Sequence, residues 1–318
     1  MEPEQLPSFE RGGDPQPARL QPLLQKTSRT FALTIPLLPE PLQREVATAY
    51  LLFRIIDTLE DATRWQAARR VKALAALTRA LDSDDANEIR QLTAQWLADP
   101  PVDHAAYLEL LAATPEVIGW QRRLRPAAAE QVRRHLTRSA RGMSEIIKRT
   151  DQAGMLQLRT LQDLRDYCLA VAGIVGEMLT ELFLLQCPSL QAVAGDLRDR
   201  AIDFGEGLQL VNILKDARAD AAEGRAYLPV EAGLAEVFVL ARRDLRRAAE
   251  YTDLLRSAGG DRGLVAFNAL NARLAIATLS LLRDQGPGSK LTRLQVSGLV
   301  AQVMSALHTG GVLFPELP

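Results

Sequence analysis

RIIDTLED (Arg54–Asp61) and LVNILKDARAD (Leu210–Asp220) each place an acidic cluster inside a helix-forming, mostly apolar stretch. A helix turns once in 3.6 residues, so carboxylates three or four residues apart project from one face of it. The apolar residues that flank both clusters indicate that these helices are packed against others. The carboxylates are Asp57, Glu60 and Asp61 in the first stretch and Asp216 and Asp220 in the second.

Like charges gathered on packed helices need cations nearby. Their proximity raises carboxylate pKa values and costs stability unless positive charge neutralises them. Mg²⁺ binds a few carboxylates and leaves room for phosphate oxygens, and Mn²⁺ suits the same oxygen ligands. We therefore expect two facing acidic helices bridged by Mg²⁺ to a diphosphate. An ordinary solvated face would explain either cluster alone, whereas two clusters with polar neighbours one turn away favour a functional site.

Helical periodicity extends along almost the whole chain, without convincing β alternation. Prolines and glycines separate the predicted helices, one of which runs from about Pro41 to Asp61. No repeat of constant period and no domain linker appear after residue 20. The predicted fold class is all-α, a single-domain helical bundle over residues 20–318 with a central cavity between its long helices. Residues 1–19, polar and rich in Pro and Gly, are predicted to form a disordered tail.

Composition excludes several classes of protein. The 318 residues include 38 basic and 39 acidic ones, a net charge of −1, so nucleic acid is not an expected partner. Two cysteines without a CxxC and three scattered histidines argue against a disulfide framework and a zinc site. The N-terminus lacks a signal-peptide core, and apolar runs such as Cys168–Gly176 are too short for a transmembrane segment. We expect a cytoplasmic protein with at most peripheral membrane contact.

Polar side chains continue both acidic faces. Those at helical spacing from the acids are Tyr50 and Arg54 on the first helix and Gln209 and Asn212 on the second. Arg54 is either the ion-pair partner of a carboxylate one turn away or a bidentate phosphate ligand. GRAYLP (Gly224–Pro229) follows the second helix and brings Arg225 and Tyr227 close to the acids. No complete dinucleotide fingerprint, P-loop or nucleophile elbow accompanies these residues.

Four motifs resemble the squalene/phytoene synthase family and occur in that family's order. They are SRTF (Ser28–Phe31), Tyr50…Arg54…DTLED, Tyr167-Cys168…VAGIVG, and GLQLVNILKDARAD…GRAYLP. The resemblance runs from about Gln25 to Pro229, with a weaker echo in FNALNARLAIATL (Phe267–Leu279). It implies an all-α isoprenoid synthase fold and head-to-head condensation of two prenyl diphosphates through a cyclopropylcarbinyl diphosphate.

The resemblance also implies roles for individual residues. Those implied to bind the metal are Asp57, Glu60, Asp61, Asp216 and Asp220. Those implied to bind substrate, chiefly its diphosphate, are Ser28, Arg29, Arg54, Arg225, Tyr227, Gln209 and Asn212. Tyr50, Tyr167, Gln209 and Asn212 would line the reaction cavity, and Tyr50, Arg54 and Tyr167 are the catalytic candidates. Tyr167 either assists the cation chemistry or is a structural tyrosine whose hydroxyl is hydrogen-bonded.

Three positions depart from the family pattern. Ala62 stands where squalene synthases usually carry Asp, Lys215 where Arg is usual, and Ala219 where Glu often precedes the last Asp. The expected metal-site aspartates all remain, so we expect an active prenyltransferase. Metal affinity or product choice can differ.

DTLED resembles squalene synthases, because phytoene synthases more often show DDxxD there. The resemblance therefore implies conversion of two farnesyl diphosphates to presqualene diphosphate and then squalene, with NADPH as reductant. Lys290 and Arg293 would contact the NADPH phosphates, or they belong to a solvated helix N-terminus. A phytoene-type, dehydrosqualene-type or presqualene-diphosphate synthase without NADPH is the alternative. A non-catalytic scaffold relative would be expected to lose the carboxylates that this chain keeps.

Overall fold

The computed structural model describes residues 17–28, 30–62, 64–83, 85–150, 156–222 and 225–315. Within these ranges the chain forms fourteen α-helices, which confirms the predicted all-α fold. Their bounds are α1 Leu20–Thr27, α2 Phe31–Thr34, α3 Leu42–Glu60, α4 Ala67–Asp82, α5 Ala86–Ala98, α6 Ala105–Ala112, α7 Thr114–Arg122, α8 Pro126–Ile147, α9 Leu161–Cys168, α10 Ile174–Gln186, α11 Ala194–Ala222, α12 Leu234–Ser257, α13 Arg262–Gln285 and α14 Arg293–Thr309.

Short segments of other structure connect some of these helices. Turns of 3₁₀-helix span Ile35–Leu37 and Pro188–Val193, and a π-helical turn, Leu169–Gly173, joins α9 to α10. Two-residue strands, β1 (Leu156–Gln157) and β2 (Arg225–Ala226), pair in parallel. Strands of this length show no alternation of polar and apolar residues, so the sequence did not predict them. Their pairing holds the chain in place directly after α11.

The two acidic stretches lie on helices that pack into the core. The 29-residue α11 packs against α10, α12 and α13, and the 19-residue α3 packs against α1, α4, α7 and α8. On α3 the side chains of Leu51, Leu52, Ile55, Ile56 and Leu59 are fully buried, at 0 % exposure. Each contributes about 1.5–3 kcal/mol by leaving water. This burial holds α3 in place although its last turn gathers like charges.

Glycines let α11 lie very close to the π-helical turn and the first residues of α10. A Cβ on Gly205 would lie 2.2 Å from the carbonyl oxygen of Ala172, and one on Gly176 would lie 2.1 Å from that of Ala201. The backbones therefore touch where only glycine fits. Because all four residues also line the cavity described below, this crossing forms part of its wall.

Two helical segments are long and apolar enough to cross a membrane by length and composition. They are Leu161–Gln186 and Arg262–Gln285, and 50 % and 61 % of their most apolar windows are buried inside the bundle. Both segments pack on α11. The core helices of a soluble protein pass the same test, so this observation is weak evidence for a membrane span.

Residues 1–16 of the predicted tail lie outside the described residues, so the disordered tail stays a prediction. Of its last three residues, Arg19 forms ion pairs with Glu109 and Glu116.

Candidate active site

A cavity of about 310 Å³ lies among α3, α10, α11 and α13, and most of its wall is apolar. Aromatic rings contribute much of that wall: Phe31, Phe53, Phe183, Phe204 and Phe267. Charged lining residues lie toward the C-terminal ends of two helices, Arg54 and Asp57 on α3 and Lys215 on α11. From Val46, which also lines the cavity, α3 rises by about 16 Å to Asp57 at 1.5 Å per residue. The cavity is therefore long, with an apolar interior and one charged end.

The predicted stripe on α3 is assembled as a connected set. Tyr50 donates a hydrogen bond from its hydroxyl to the carbonyl of Thr27 at 2.9 Å, and Arg54 Nη2 donates to that hydroxyl at 3.3 Å. Arg54 Nη1 lies 3.6 Å from Asp57 Oδ2. The guanidinium carbon also lies 5.6 Å from the ring centroid of Tyr107, within cation–π range. These contacts hold Arg54 at the charged end of the cavity.

Asp57 is held in surroundings that disfavour its charge. Burial raises the pKa of Asp57 to about 7; nearby Asp61 adds to the rise and Arg54 opposes it. A carboxyl with a pKa near 7 gains most from a cation that arrives with the substrate, because that cation restores the charged form.

Glu60, another predicted metal ligand, is not among the residues that line the cavity. It is 4 % exposed, and its Oε1 lies 3.6 Å from Nη2 of Arg70 on α4. Burial, with Asp61 next in effect, raises its pKa well above the usual range, while Arg70 opposes that rise.

Arg225 joins the two acidic helices. Its Nη1 lies 3.4 Å from Asp61 Oδ1, and its Nη2 lies 3.3 Å from Asp220 Oδ1. Burial raises the pKa of Asp220. Arg225 opposes this rise, whereas the charges of Asp216 and Asp61 add to it. The structure thus brings together the two clusters that lie about 160 residues apart in the sequence, and it uses a residue of GRAYLP to do so.

The face of α11 that meets the cavity carries the other predicted polar residues. Gln209 and Asn212 line the cavity, and Lys215 Nζ lies 3.0 Å from Asn212 Oδ1 and 3.2 Å from Asp216 Oδ2. Lys215, noted in the sequence only as a departure from the family pattern, therefore lies at the charged end beside the second cluster.

These residues suit Mg²⁺ or Mn²⁺. Hard divalent cations prefer carboxylate oxygens, which two converging helices supply here. Both helices also end at this site, α3 at Glu60 and α11 at Ala222, and the C-terminal end of a helix carries partial negative charge. Positive charge brought by a metal ion is therefore favoured at this end of the cavity.

Tyr167 and Tyr227 form a stacked pair outside the cavity lining, with ring centroids 4.6 Å apart. Both are buried, at 5 % and 6 % exposure. Burial, and next the charge of Glu60, raises the pKa of each hydroxyl, so both are neutral phenols. The family resemblance implied that Tyr167 lines the cavity. In the structure its ring stacks on Tyr227 near Glu60, and its helix α9 packs on α11 through an ion pair between Arg165 and Glu206.

The remaining predicted residues lie further from the cavity or outside the described residues. Ser28 Oγ accepts a hydrogen bond from the backbone N–H of Phe31 at 2.9 Å. Arg29 is outside the described residues. Lys290 is exposed on the segment before α14, and Arg293, the first residue of α14, is exposed as well. The same segment touches α11, because Gly288 N–H donates to the carbonyl of Lys215 at 2.9 Å.

Sequence reasoning missed residues that reach the site from other helices. Tyr107 on α6 and Arg70 on α4 belong to no recognisable motif, and only the fold brings them to α3. Asn268 and Asn271 on α13 also line the cavity, and Asn271 Nδ2 donates to Thr34 Oγ1 at 3.3 Å. Both asparagines stand in FNALNAR, so the weak echo in that stretch was the available signal.

A third acidic cluster, which the sequence did not predict, lies between α11 and α12 and consists of Asp203, Glu206 and Asp244. One carboxylate oxygen from each residue lies within 4.8 Å of the others. Guanidinium groups of Arg165, Arg243 and Arg247 already donate to five of its six oxygens. The sixth, Asp244 Oδ2, is buried without a hydrogen-bond partner among the described residues. We assign this cluster to an ion-pair network that joins the helices.

Comparison with known proteins supports the resemblance. Squalene synthases of Eremothecium gossypii and Candida albicans are 28 % and 27 % identical to this chain over 225 and 218 residues, which is 71 % and 69 % of it. These matches cover 48 % and 46 % of the relatives, so the chain spans about half the length of the curated relatives it matches.

Solved structures share the fold. The structure of TcSQS with the ligand E5700 superposes with a TM-score of 0.71 at 24 % identity, covering 91 % of this chain and 88 % of that one. A dehydrosqualene synthase in complex with ligand gives a TM-score of 0.56 at 21 % identity, covering 92 % and 96 %. The squalene/phytoene synthase family profile matches residues 24–235. The chain therefore belongs to the squalene/phytoene synthase family.

Proposed function

We propose that this chain is a prenyltransferase that joins two farnesyl diphosphates head to head, giving presqualene diphosphate and then, with NADPH, squalene. The observation that carries the proposal is the meeting of two acidic helices at the charged end of a long apolar cavity. Family membership and the squalene synthases among its relatives support it.

The charged end suits the diphosphate. Asp57 and Asp61 on α3 and Asp216 and Asp220 on α11 would hold Mg²⁺ or Mn²⁺, with Glu60 behind them. The bound metal supplies positive charge that stabilises the departing diphosphate. Arg54 and Arg225 are guanidinium donors at the same end, and bidentate hydrogen bonds from Arg match phosphate oxygens.

The apolar interior suits the prenyl chains and the cation left when diphosphate departs. Its aromatic and aliphatic wall excludes water, which would otherwise capture the cation. The faces of Tyr50 and the phenylalanine rings can stabilise positive charge. Tyr167 is a neutral phenol outside this wall and near Glu60. We therefore propose that it influences the reaction through Glu60 and not by contact with the prenyl chains. We also propose that the protein is cytoplasmic and contacts a membrane peripherally, because its product would be apolar.

A second candidate is a dehydrosqualene- or phytoene-type synthase that uses no NADPH. A dehydrosqualene synthase among the solved structures that share this fold is the observation behind this candidate.

The two candidates differ in product. Purified chain is incubated with Mg²⁺ and farnesyl or geranylgeranyl diphosphate, with and without NADPH, and products are identified by mass spectrometry. The proposal predicts squalene from farnesyl diphosphate with NADPH, and presqualene diphosphate without it. A C40 hydrocarbon from geranylgeranyl diphosphate alone, or dehydrosqualene without NADPH, would move the assignment to the second candidate.

A further inference from the structure

Arg70 is a buried cation directly behind the first acidic cluster. It lies in the first turn of α4 and is 6 % exposed. Its Nη2 donates to the backbone carbonyl of Glu60, the last residue of α3, and lies 3.6 Å from the Glu60 carboxylate. One guanidinium therefore contacts both the end of the helix and the side chain of its last residue.

Burial of Arg70 is costly and needs compensation. No acceptor among the described residues pairs with its Nε, and a buried N–H without a partner destabilises the fold. The carbonyl of Glu60 is one of the last four of α3, which lack donors within the helix. A cation at a helix C-terminus also interacts favourably with the helix dipole. Arg70 thus satisfies a backbone group and a buried carboxylate together.

The positive groups around the first cluster are divided among its carboxylates. Arg54 contacts Asp57, Arg225 contacts Asp61, and Arg70 contacts Glu60. Arg225 is also near enough to lower the pKa of Glu60. Without Arg70, Glu60 would lose its ion-pair partner, and the last turn of α3 would lose its tether to α4.

We propose that Arg70 is a positioning residue for the divalent-cation site, which it serves by fixing the last turn of α3 and so the directions of Asp57 and Asp61. This inference rests on the proposed function. Arg70 touches neither the cavity nor the predicted diphosphate position, so it acts through Glu60 and the helix end. Ligand carboxylates elsewhere depend on such outer contacts for orientation.

An effect of Arg70 through its charge and an effect through its geometry predict opposite changes in the affinity for a divalent cation. The inference is therefore testable. Removing a positive charge near a metal site strengthens cation binding by Coulomb's law, whereas misplacing the ligands weakens it. Arg70→Lys keeps the charge but loses the guanidinium, whose Nη2 contacts both the backbone carbonyl and the carboxylate of Glu60. Arg70→Met removes both the positive charge and the contacts with Glu60. Arg69→Met is the matched control, because Arg69 lies in the same turn of α4 but its side chain is 39 % exposed and pairs with Asp99.

The experiment titrates each full-length variant with Mn²⁺ in the presence of inorganic pyrophosphate and follows free Mn²⁺ by electron paramagnetic resonance. Helical content and melting temperature are measured in parallel. We expect wild-type protein to bind Mn²⁺, and Asp57→Asn to lose this binding. Arg70→Lys and Arg70→Met should weaken it by roughly 10–100-fold, the usual effect of losing an outer contact, while Arg69→Met leaves it unchanged.

The other outcomes are equally decisive. Unchanged affinity in Arg70→Lys with tighter binding in Arg70→Met would show that Arg70 acts by charge alone and would overturn the inference. Equal losses in the Arg69 and Arg70 variants would overturn it too. If Arg70→Met does not fold, Arg70→Lys, which keeps the buried charge, decides the question. Wild-type protein that binds no Mn²⁺ would instead refute the metal site of the proposed function.

Discussion

Replacing Asp244 by Asn should make the folding stability less dependent on pH between the unfolded pKa of 3.8 and the folded pKa of about 7. Asp244 is fully buried between α11 and α12. Burial raises its pKa to about 7, with Glu206 and Asp203 adding to the rise and Arg243 opposing it. The unfolded chain releases this proton near the ordinary value of 3.8, whereas the folded chain holds it until about pH 7. Folding stability that depends on the proton is therefore lost as pH rises through this window.

The size of the loss follows from the two pKa values. At pH 5 the unfolded state has already released the proton, and two further pH units separate that point from the folded pKa. Each unit corresponds to about 1.4 kcal/mol, so wild-type protein should lose about 3 kcal/mol between pH 5 and pH 8 through this group. With an entropy of unfolding of about 2 cal/mol/K per residue over roughly 300 residues, this corresponds to about 4 °C.

The assay compares melting temperatures of wild type and Asp244→Asn from pH 5 to pH 9 in metal-free buffer. Asp57 also has a pKa of about 7, but it titrates in both proteins and cancels in the difference. The difference, variant minus wild type, should rise by about 4 °C between pH 5 and pH 8 and then level off. Asp199→Asn is the control. Because Arg247 lowers the pKa of Asp199, this carboxyl is ionised in the folded and in the unfolded protein over this pH range, and the difference in melting temperature should stay flat. A flat difference for Asp244→Asn as well would refute the assigned pKa and its cause.

Three further results are expected. Gly205→Ala should lower the free energy of unfolding by about 1–3 kcal/mol, because the added Cβ would lie 2.2 Å from the carbonyl oxygen of Ala172. Urea denaturation measures this loss. Gly298→Ala is the control that should show no loss, because a Cβ there meets nothing within 4 Å. Deletion of residues 1–16 should leave melting temperature and products unchanged, since their polar, Pro- and Gly-rich composition buries little apolar area; loss of folding would show that they pack. Arg54→Met should lower kcat by on the order of 10²-fold with helical content intact, because a donor to the diphosphate is lost; unchanged kcat would remove Arg54 from the site.

Much of the fold was predictable, because helical periodicity and proline punctuation are local signals. The long helix expected from about Pro41 to Asp61 is α3, Leu42–Glu60. Helical periodicity alone does not mark the π-helical turn that the structure has at Leu169–Gly173. That turn accompanies the close crossing with α11, a tertiary contact that periodicity does not encode. Periodicity also does not separate α6 from α7, because only Ala113 lies between the two helices.

The site was predictable along each helix and less so between helices. Spacing alone placed Arg54 and Asp57 on one face, and the structure joins them as an ion pair. Spacing also grouped Glu60 with the open carboxylates, but packing of α4 buries it against Arg70. Tyr167 was assigned to the cavity from its motif, and the position of α9 turns it toward Tyr227 instead. Such contacts depend on which helices become neighbours, which no local pattern specifies.

In the proposed function, the two acidic helices act together on the diphosphate. The most direct test of this claim is a single-turnover reaction of the full chain with farnesyl diphosphate and Mg²⁺, without NADPH, in which released pyrophosphate and the C30 product are measured together. We predict one pyrophosphate and one presqualene diphosphate from every two farnesyl diphosphates, and neither product with EDTA, with Asp57→Asn or with Asp216→Asn. Undiminished turnover in EDTA, or in either variant alone, would contradict the claim.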